Sequence, residues 1–312
     1  MNSVIVCRFP RTDVAFGRYL ALRSPVCEAP VGSITVIVNT YNEERRLGLA
    51  LRSVMHWADE VIVVDMYSSD RTAEVAKKFG AQVILHRGTG KPYPPREFSV
   101  QQGTGEWILM LDADEILPVA LAEELWRLSS RTDIDVVLLP RLNYFFGIPV
   151  LNSGCDPDRD ACPRFFRRGH VLGSSKTHQD FAVPPGSRAL KLPYRSGVGL
   201  VHFTYLDGSD VLDKFNRYTT LESEECLREG IWIPPQKMLY SAIKEFFWRY
   251  LKCRGYRDGW CGLYISLLYA FYRISTCLKL HQLRLVGDRQ QVEQLYQHEA
   301  FEAFAAVGRK NT

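Results

Sequence analysis

Two carboxylates at alternate positions follow an apolar run, and their types and spacing suit the binding of a metal ion. The run Trp107-Ile-Leu-Met-Leu leads directly into Asp112, Ala113 and Asp114. Residues two apart in an extended segment point the same way, so Asp112 and Asp114 can present their oxygens to one hard cation. An apolar run of this kind is typical of a buried parallel strand, and ligands bind at the carboxyl ends of such strands. The alternative is that the acids only begin the next helix, with Asp114 as its N-cap and Pro118 in its first turn.

The segments upstream predict the sheet that would position these carboxylates. Three apolar runs, Ile34–Val38, Val61–Asp65 and Ala81–Leu85, are separated by polar loops and helical segments. This alternation is typical of right-handed βαβ units, so we expect an α/β fold with a parallel sheet. Gly80 is expected to end the second helix in the left-handed conformation.

The loops after these strands carry side chains that suit different parts of a charged ligand. They are Thr40, Tyr41, Asn42 and Glu43 after the first strand, Asp65 and Ser68 after the second, and Lys91 and Arg96 after the third. An aromatic ring can stack on a base, an acid can accept from base or ribose, and a cation can meet phosphate. The sequence lacks both the Gly-x-Gly-x-x-Gly fingerprint after the first strand and a Gly-x-x-x-x-Gly-Lys-Ser/Thr phosphate loop. The expected site is therefore a nucleotide site of another kind.

Length, composition and charge limit the expected domain count, partners and cellular compartment. The chain has 312 residues, 46% of them hydrophobic, and a formal net charge of +4. That length predicts one catalytic domain with attachments, and without a block of five or six like charges no nucleic-acid partner is expected. Eight cysteines without Cys-x-x-Cys spacing favour a reducing, cytosolic compartment. The charged first twenty residues lack the uninterrupted apolar core of a secretory signal.

Three motifs, in this order and spacing, resemble the GT-A family 2 glycosyltransferases. They are Asn39-Thr-Tyr-Asn-Glu-Glu44, Val63-Val-Asp65-x-x-Ser-Ser-Asp70-Arg-Thr72 and Trp107-Ile-Leu-x-Leu-Asp112-Ala-Asp114-Glu115. The resemblance runs from about Ser33 to about Leu280. It implies a GT-A fold, a Rossmann-like and mostly parallel sheet flanked by helices, with a C-terminal helical extension.

The resemblance also implies roles for single residues. Those expected to bind a nucleotide-sugar are Thr40, Tyr41, Glu43, Asp65, Ser68, Arg96 and Asp112. Asp114 is expected to bind a divalent metal, Mg²⁺ or Mn²⁺, and His202 stands where a histidine of the metal shell would fall. Arg96 is followed by Glu97, where bacterial members usually have asparagine.

The catalytic base is expected in the segment Lys176-Thr-His-Gln-Asp-Phe181. Bacterial members commonly read Val-His-Glu there, with the glutamate as base, but the amide of Gln179 cannot accept a proton. Asp180 is therefore the predicted base. His178, which alternation would aim to the same side, is predicted to share the site or to orient Asp180. The alternative for His178 is a purely structural role.

We predict an N-terminal extension over 1–32, a catalytic domain over 33–210 and a helical, membrane-proximal region over 211–312. Within the catalytic domain, 33–132 would hold the nucleotide-sugar and 133–210 the acceptor. The last third resembles the tail of bacterial members that act on lipopolysaccharide core and related glycans. Its apolar stretch from Trp260 to Tyr272, about thirteen residues, is shorter than the roughly twenty that a spanning helix needs. With nearby aromatics and cations it is expected to lie on an anionic membrane surface, or alternatively to pack as a core helix.

Together these features predict a metal-dependent, inverting glycosyltransferase at the inner face of the cytoplasmic membrane. Its donor would be a nucleotide-sugar, with UDP favoured by resemblance, and its acceptor a hydroxyl of a cell-surface glycan or lipid-linked glycan. One alternative is a polyprenyl-phosphate glycosyltransferase, whose acceptor needs little base assistance. Another is a nucleotide-sugar-binding assembly partner without turnover, which the intact Asp112 and Asp114 disfavour.

Overall fold

The computed structural model describes residues 32–87, 96–173 and 181–308. The chain forms two compact units. The first comprises the chain up to Tyr144 together with Asp156–Thr204, and the second comprises Phe145–Cys155 together with the chain from Tyr205 onward. The segment Phe145–Cys155, expected in the acceptor half, therefore packs within the second unit. The roles assigned to the predicted domains stay predictions.

The strands alternate with helices through the first third of the chain. The strands are β1 (Ile34–Thr40), β2 (Glu60–Asp65), β3 (Gln82–Leu85), β4 (Trp107–Asp112), β5 (Glu115–Ile116), β6 (Val136–Leu139), β7 (Arg141–Phe145), β8 (Ile148–Pro149), β9 (Cys162–Arg167), β10 (Leu172–Gly173), β11 (Phe181–Ala182), β12 (Ala189–Lys191) and β13 (Leu200–Tyr205). The helices are α1 (Leu47–Val54), α2 (Thr72–Lys78), α3 (Arg96–Gln102), α4 (Val119–Ser129), α5 (Gly208–Arg228), α6 (Pro235–Phe247), α7 (Gly259–Leu285) and α8 (Arg289–Gly308).

The first unit is built on a seven-stranded sheet in the order β12-β6-β9-β4-β1-β2-β3. Strand β9 runs antiparallel to its neighbours β4 and β6, and the other pairs are parallel. This is the α/β arrangement that the GT-A resemblance implies, and the predicted fold class is confirmed. Strands β5, β13 and β7 lie side by side in a smaller sheet.

Burial on both faces explains why the first strands are continuous apolar runs. Every residue of β1 is buried, with Val36 and Val38 in one core cluster and Ile37 in another. Gly80 follows α2 with a φ of +80°, the predicted left-handed conformation. Helix α4 begins at Val119 after Pro118, so the alternative that Asp114 caps this helix is wrong.

The second unit is mainly helical. A π-helical turn over Trp248–Lys252 and a 3₁₀ turn over Gly255–Asp258 connect α6 to α7. Helix α7 has 27 residues and extends beyond the apolar stretch from Trp260 to Tyr272. Within the described chain, one segment, Gly255–Leu285, is long and apolar enough to cross a membrane. Core helices of soluble proteins can have the same length and composition.

Candidate functional site

Three strand ends meet at one edge of the large sheet. In the sheet register Thr40 lies opposite Asp65, and Asn39 lies opposite Asp112. The polar residues that follow β1, β2 and β4 are therefore presented at the same edge, where ligands of open α/β sheets bind. The structure thus brings together residues that the sequence spreads over more than seventy positions.

Asp65 and Ser68 join the loops after β1 and β2. The backbone N–H and the hydroxyl of Ser68 donate to Asp65 Oδ1 at 3.0 and 2.6 Å, and the Ser68 hydroxyl accepts from the backbone N–H of Asn42 at 2.8 Å. Both hydrogen bonds from Ser68 use Oδ1, so within the described part of the chain Asp65 Oδ2 remains available to a ligand donor. Asp65 and Ser68 therefore hold the two loops together, and Asp65 also offers an acceptor.

Two tyrosines flank this edge, and sequence reasoning selected only one of them. Tyr41 and Tyr67 are each about half exposed, and the Arg87 guanidinium lies 5.0 Å from the centre of the Tyr67 ring. Tyr67 has a φ of +62°, a conformation that costs a non-glycine residue free energy and recurs at ligand sites. The available signal was an aromatic residue two positions after the strand-terminal Asp65.

Thr40 and Glu43 take different positions in the site. Thr40 is buried at the end of β1, and within the described part of the chain its hydroxyl has no hydrogen-bond partner. Such a group is ready to bond to a ligand. Glu43 instead accepts two hydrogen bonds from Arg46 at 2.6 and 2.7 Å. Arg46 Nη1 lies 3.9 Å from Asp114 Oδ2, so Glu43 is linked to the carboxylate predicted to bind metal.

Asp112 is held by two arginines. Arg164 Nη2 lies 2.6 Å from Asp112 Oδ2, and Arg96 Nη2 lies 3.2 Å from Oδ1. Burial would raise the pKa of Asp112, but the charges of Arg164 and Arg96 outweigh it and hold the pKa well below its usual range. Asp112 is therefore an ionised acceptor for a ligand hydroxyl, and Arg96 lies beside it.

Glu115 links this pair to a third arginine. It is fully buried, its Oε2 accepts the backbone N–H of Asp112 at 2.9 Å, and its Oε1 lies 3.5 Å from Arg164 and 3.3 Å from Arg141. Sequence reasoning missed Arg141 and Arg164. The signal was weak: Arg164 directly precedes two aromatic residues, Phe165 and Phe166, in the sequence.

Asp114 and His202 come together across β5 and β13. His202 pairs with Glu115 in the strand register, and His202 Nε2 lies 3.6 Å from Asp114 Oδ2. A carboxylate oxygen and an imidazole nitrogen at this separation lie close enough to bind one divalent cation between them. Within residues 32–87, 96–173 and 181–308, no cluster of three or more His, Cys, Asp and Glu side chains is arranged for a metal. Substrate phosphate and water would complete the shell, as Mg²⁺ sites commonly require.

A buried amide orients the imidazole. Asn143 Oδ1 lies 2.7 Å from His202 Nδ1, and Asn143 Nδ2 donates to Asp160 Oδ2 at 2.7 Å. Asp160 also accepts from Arg141 at 2.8 and 3.1 Å. Burial would raise the pKa of Asp160, but Arg141 and the hydrogen bonds lower it, which keeps the carboxylate ionised. These two residues were not selected from the sequence.

The predicted base lies outside the described residues. Asp180, His178 and Gln179 fall between 173 and 181, and Lys91 falls between 87 and 96. Their predicted roles stay predictions. Phe181, directly after the first three, lies with its ring centre 5.8 Å from the Arg96 guanidinium.

Comparison with known proteins identifies the fold of this site. Residues 35–172 match the model of the family described as glycosyl transferase family 2. The chain carries a family 2 glycosyltransferase domain. A protein named as a glycosyltransferase from Rickettsia typhi is 26% identical over 265 residues, which cover 81% of this chain and 88% of that protein. The predicted family resemblance is thus confirmed for this domain, and relatives over most of the chain are named as glycosyltransferases.

Two further relatives are more specific in their names. The lipopolysaccharide core biosynthesis glycosyltransferase LpsC of Rhizobium meliloti is 26% identical over 273 residues, which cover 85% of this chain and 98% of that protein. The mannosyltransferase PcManGT of Pyrobaculum calidifontis, solved with GDP-Man and Mn²⁺, is 15% identical with a TM-score of 0.43, covering 93% of this chain and 89% of that one. Likeness at that level does not carry a donor or a metal to this chain.

Proposed function

We propose that this glycosyltransferase is an inverting, metal-dependent enzyme that moves a sugar from a UDP-sugar to a hydroxyl of a cell-surface glycan or lipid-linked glycan. The observation that carries the proposal is the 3.6 Å approach of His202 Nε2 to Asp114 Oδ2. This pair stands beside the strand ends with Asp65 and Asp112. A cation held there would lie next to a ligand held by the strand-end loops.

The strand-end residues suit the parts of a nucleotide. Asp65 and the Thr40 hydroxyl offer acceptors for a base, and the half-exposed rings of Tyr41 and Tyr67 offer stacking surfaces. Asp112, kept ionised by Arg96 and Arg164, suits a ribose hydroxyl. These groups hold a donor in a fixed position, which lowers the entropic part of the barrier.

A divalent cation, Mg²⁺ or Mn²⁺, bound by Asp114 and His202 would offset the charge that develops on the departing diphosphate. Arg46, 3.9 Å from Asp114, adds a positive charge on the same side. The remaining requirement is a base that takes the proton of the acceptor hydroxyl as it attacks the anomeric carbon, and we assign this role to Asp180 with His178 beside it.

The base assignment separates two kinds of acceptor. Loss of a general base typically costs about a hundredfold to ten-thousandfold. Asp180→Asn is therefore expected to keep donor binding and to lower turnover at least a hundredfold, with a smaller effect of His178→Ala. Normal turnover in both variants would indicate an acceptor that is already ionised, as in polyprenyl-phosphate glycosyltransferases, and would overturn the hydroxyl acceptor.

We further assign an anionic membrane surface as partner of the second unit. Exposed apolar side chains recur at helical spacing, every three, four or seven residues within each run, along α6 with the π-helical turn and along α7: Leu239, Ile243, Phe247 and Leu251, then Tyr264, Leu267, Phe271 and Leu278. Exposed cations lie in the same region: Lys244, Lys252, Arg254 and Arg257. Aromatic and aliphatic burial together with attraction to anionic headgroups is the pattern of an interfacial helix. The opposite face of α7 packs into the unit's own core through Cys261, Ile265 and Tyr272, which favours lying on the membrane at its cytoplasmic face over crossing it.

A thermal-stability panel tests the donor. Ligands that bind the native state raise its apparent stability, so the melting temperature is measured with UDP-, GDP- and dTDP-sugars, each with and without Mn²⁺. We expect the largest rise with a UDP-sugar plus Mn²⁺. A rise with UDP-sugar that is the same with EDTA would contradict the metal assignment, and no rise with any donor would contradict the function.

Liposome flotation tests the membrane surface. Wild type is expected to float with vesicles of anionic phospholipid at low salt and to be released at high salt. Phe247→Ser with Phe271→Ser should reduce flotation, while Leu212→Ser, a similarly exposed apolar residue on α5, should not. Equal flotation of the double variant and the control would refute this surface.

A further inference from the structure

A hydrogen-bonded chain runs from Asp160 through Asn143 to His202. We propose that Asp160 and Asn143 are positioning residues that hold His202 as the Nδ1–H tautomer, with the Nε2 lone pair turned toward Asp114. The inference rests on the proposed metal site, which it deepens by assigning residues that prepare one of its ligands. Neither residue contacts the metal position through its own side chain in this assignment.

The orientation of the Asn143 amide follows from the negative charge of Asp160. An ionised carboxylate has only acceptors, so the Asn143 group 2.7 Å from Asp160 Oδ2 must be the Nδ2 donor. The amide oxygen then faces His202 Nδ1 at 2.7 Å and accepts from it. Asn143 is buried, so its amide cannot exchange these partners for water. Asp160 is in turn fixed by two hydrogen bonds from Arg141.

The other neighbours of the ring do not enforce this tautomer. The Thr204 hydroxyl lies 3.1 Å from both Asn143 Oδ1 and His202 Nδ1, and it can rotate to serve either. Asp114, 3.6 Å from Nε2, attracts a proton to that nitrogen and so favours the opposite tautomer. The Asn143 amide therefore selects the Nδ1–H tautomer. If Nδ1 were unprotonated, its lone pair would face a lone pair of Asn143 Oδ1 at 2.7 Å. Fixing the tautomer through the second ring nitrogen is a general way of preparing a metal-binding histidine.

The test uses an isosteric change at the far end of the chain. Asp160 Oδ2 accepts from both Asn143 Nδ2 and Arg141 Nε, whereas the amide in Asp160→Asn carries one donor and one acceptor. The side chain then no longer fixes the orientation of the Asn143 amide, so the Nε2–H tautomer of His202 should gain population. Nitrogen-15 NMR of the metal-free full chain at about pH 8.5, above the ordinary imidazole pKa of about 6.5, reports the tautomer directly. The His202 signals are identified by their loss in His202→Gln.

We expect Nδ1–H in wild type and a larger share of Nε2–H in Asp160→Asn. Mn²⁺ binding, followed by electron paramagnetic resonance without donor or acceptor, should weaken by about 10- to 100-fold in Asp160→Asn. Asp135→Asn is the matched control, because Asp135 also holds an arginine through two side-chain hydrogen bonds, at 2.9 and 2.7 Å, but does not contact His202. It should keep both the wild-type tautomer and the wild-type Mn²⁺ affinity.

Three results would overturn the inference: the Nε2–H tautomer in wild type, an unchanged tautomer in Asp160→Asn, or equal Mn²⁺ affinity of wild type and this variant. The first needs no variant, so the proposal stays falsifiable if Asp160→Asn does not fold. A wild-type chain that binds no Mn²⁺ would instead contradict the proposed metal site. The tautomer measurement distinguishes that failure from a failure of the positioning chain.

Discussion

Replacement of Arg164 by methionine removes the cation that the buried Glu115 and the partly buried Asp112 share. Arg164 is fully buried, with Nη2 2.6 Å from Asp112 and 3.5 Å from Glu115. Removing one partner of a buried ion pair costs about 3–5 kcal/mol, because the remaining charge stays away from water. Asp112 retains Arg96 at 3.2 Å and Glu115 retains Arg141 at 3.3 Å, so the lower end, about 3 kcal/mol, is expected.

Thermal unfolding followed by circular dichroism measures this loss. For domains of about 150–250 residues, 1 kcal/mol corresponds to about 2–4 °C, so the melting temperature should fall by about 6–12 °C. The matched control is Arg131→Met, since Arg131 Nη2 also lies 2.6 Å from a carboxylate, Asp133, but the two side chains are 48% and 64% exposed. Exposed pairs contribute about 0–1 kcal/mol, so this variant should melt within about 4 °C of wild type.

A second substitution separates lost charge balance from lost packing. The double variant Arg164→Met with Glu115→Gln lacks one of the carboxylates that lost its cation, so it should recover part of the stability lost in Arg164→Met. If the loss came from poorer packing instead, the destabilisations of the two substitutions would add. If Arg164→Met melts no lower than Arg131→Met, the reasoning that this network holds Asp112 in place is refuted.

Three further predictions concern the nucleotide pocket and the pH dependence of stability. Asp65→Ala should weaken UDP binding in calorimetry and leave Mn²⁺ binding intact; an effect confined to turnover at saturating donor would mean that Asp65 does not contact the nucleotide. Tyr67→Gly should raise the melting temperature by relieving the positive φ of +62° and yet weaken UDP binding, whereas unchanged UDP binding would exclude stacking on this ring. Hydrogen bonds from Arg188 hold the pKa of Asp135 well below its usual range, so the carboxylate stabilises the fold above its unfolded pKa of about 3.9 and less as the pH falls. The melting-temperature difference between wild type and Asp135→Asn should accordingly be constant above about pH 5 and shrink below about pH 4; a difference that grows in acid would contradict the pairing.

The elements that carry the donor pocket could be predicted because their signals are local. Each of β1, β2 and β4 is a mostly apolar run that ends in a polar residue, as with Val61–Asp65, and burial on both faces produces that pattern. The register that aligns Asp65 with Thr40 then follows from parallel pairing.

The arginine and amide partners could not be predicted, because their positions depend on non-local pairing. Arg164 contacts Asp112 because β9 lies antiparallel between β4 and β6 in the sheet. No local sequence pattern specifies that strand order. Asn143 contacts Asp160 and His202 only when the three chain segments that carry these residues pack together.

The apolar stretch from Trp260 to Tyr272 marks only part of α7 in the sequence. The helix continues past Arg273, which lies 3.7 Å from Glu222 on α5 and 3.5 Å from Glu245 on α6. Tertiary ion pairs thus accommodate a charge that the sequence pattern reads as a boundary.

The most direct test of the central claim is release of nucleoside diphosphate from a UDP-sugar by wild type and by Asp114→Ala, with Mn²⁺ and with EDTA. We predict turnover by wild type with Mn²⁺ and none by wild type with EDTA, because Asp114 and His202 would hold the cation that offsets the leaving group. Asp114→Ala should retain less than about a tenth of wild-type turnover, a change of at least about 1.4 kcal/mol in the barrier. Turnover by Asp114→Ala above that level, or wild-type turnover that EDTA does not affect, would contradict the metal-dependent mechanism.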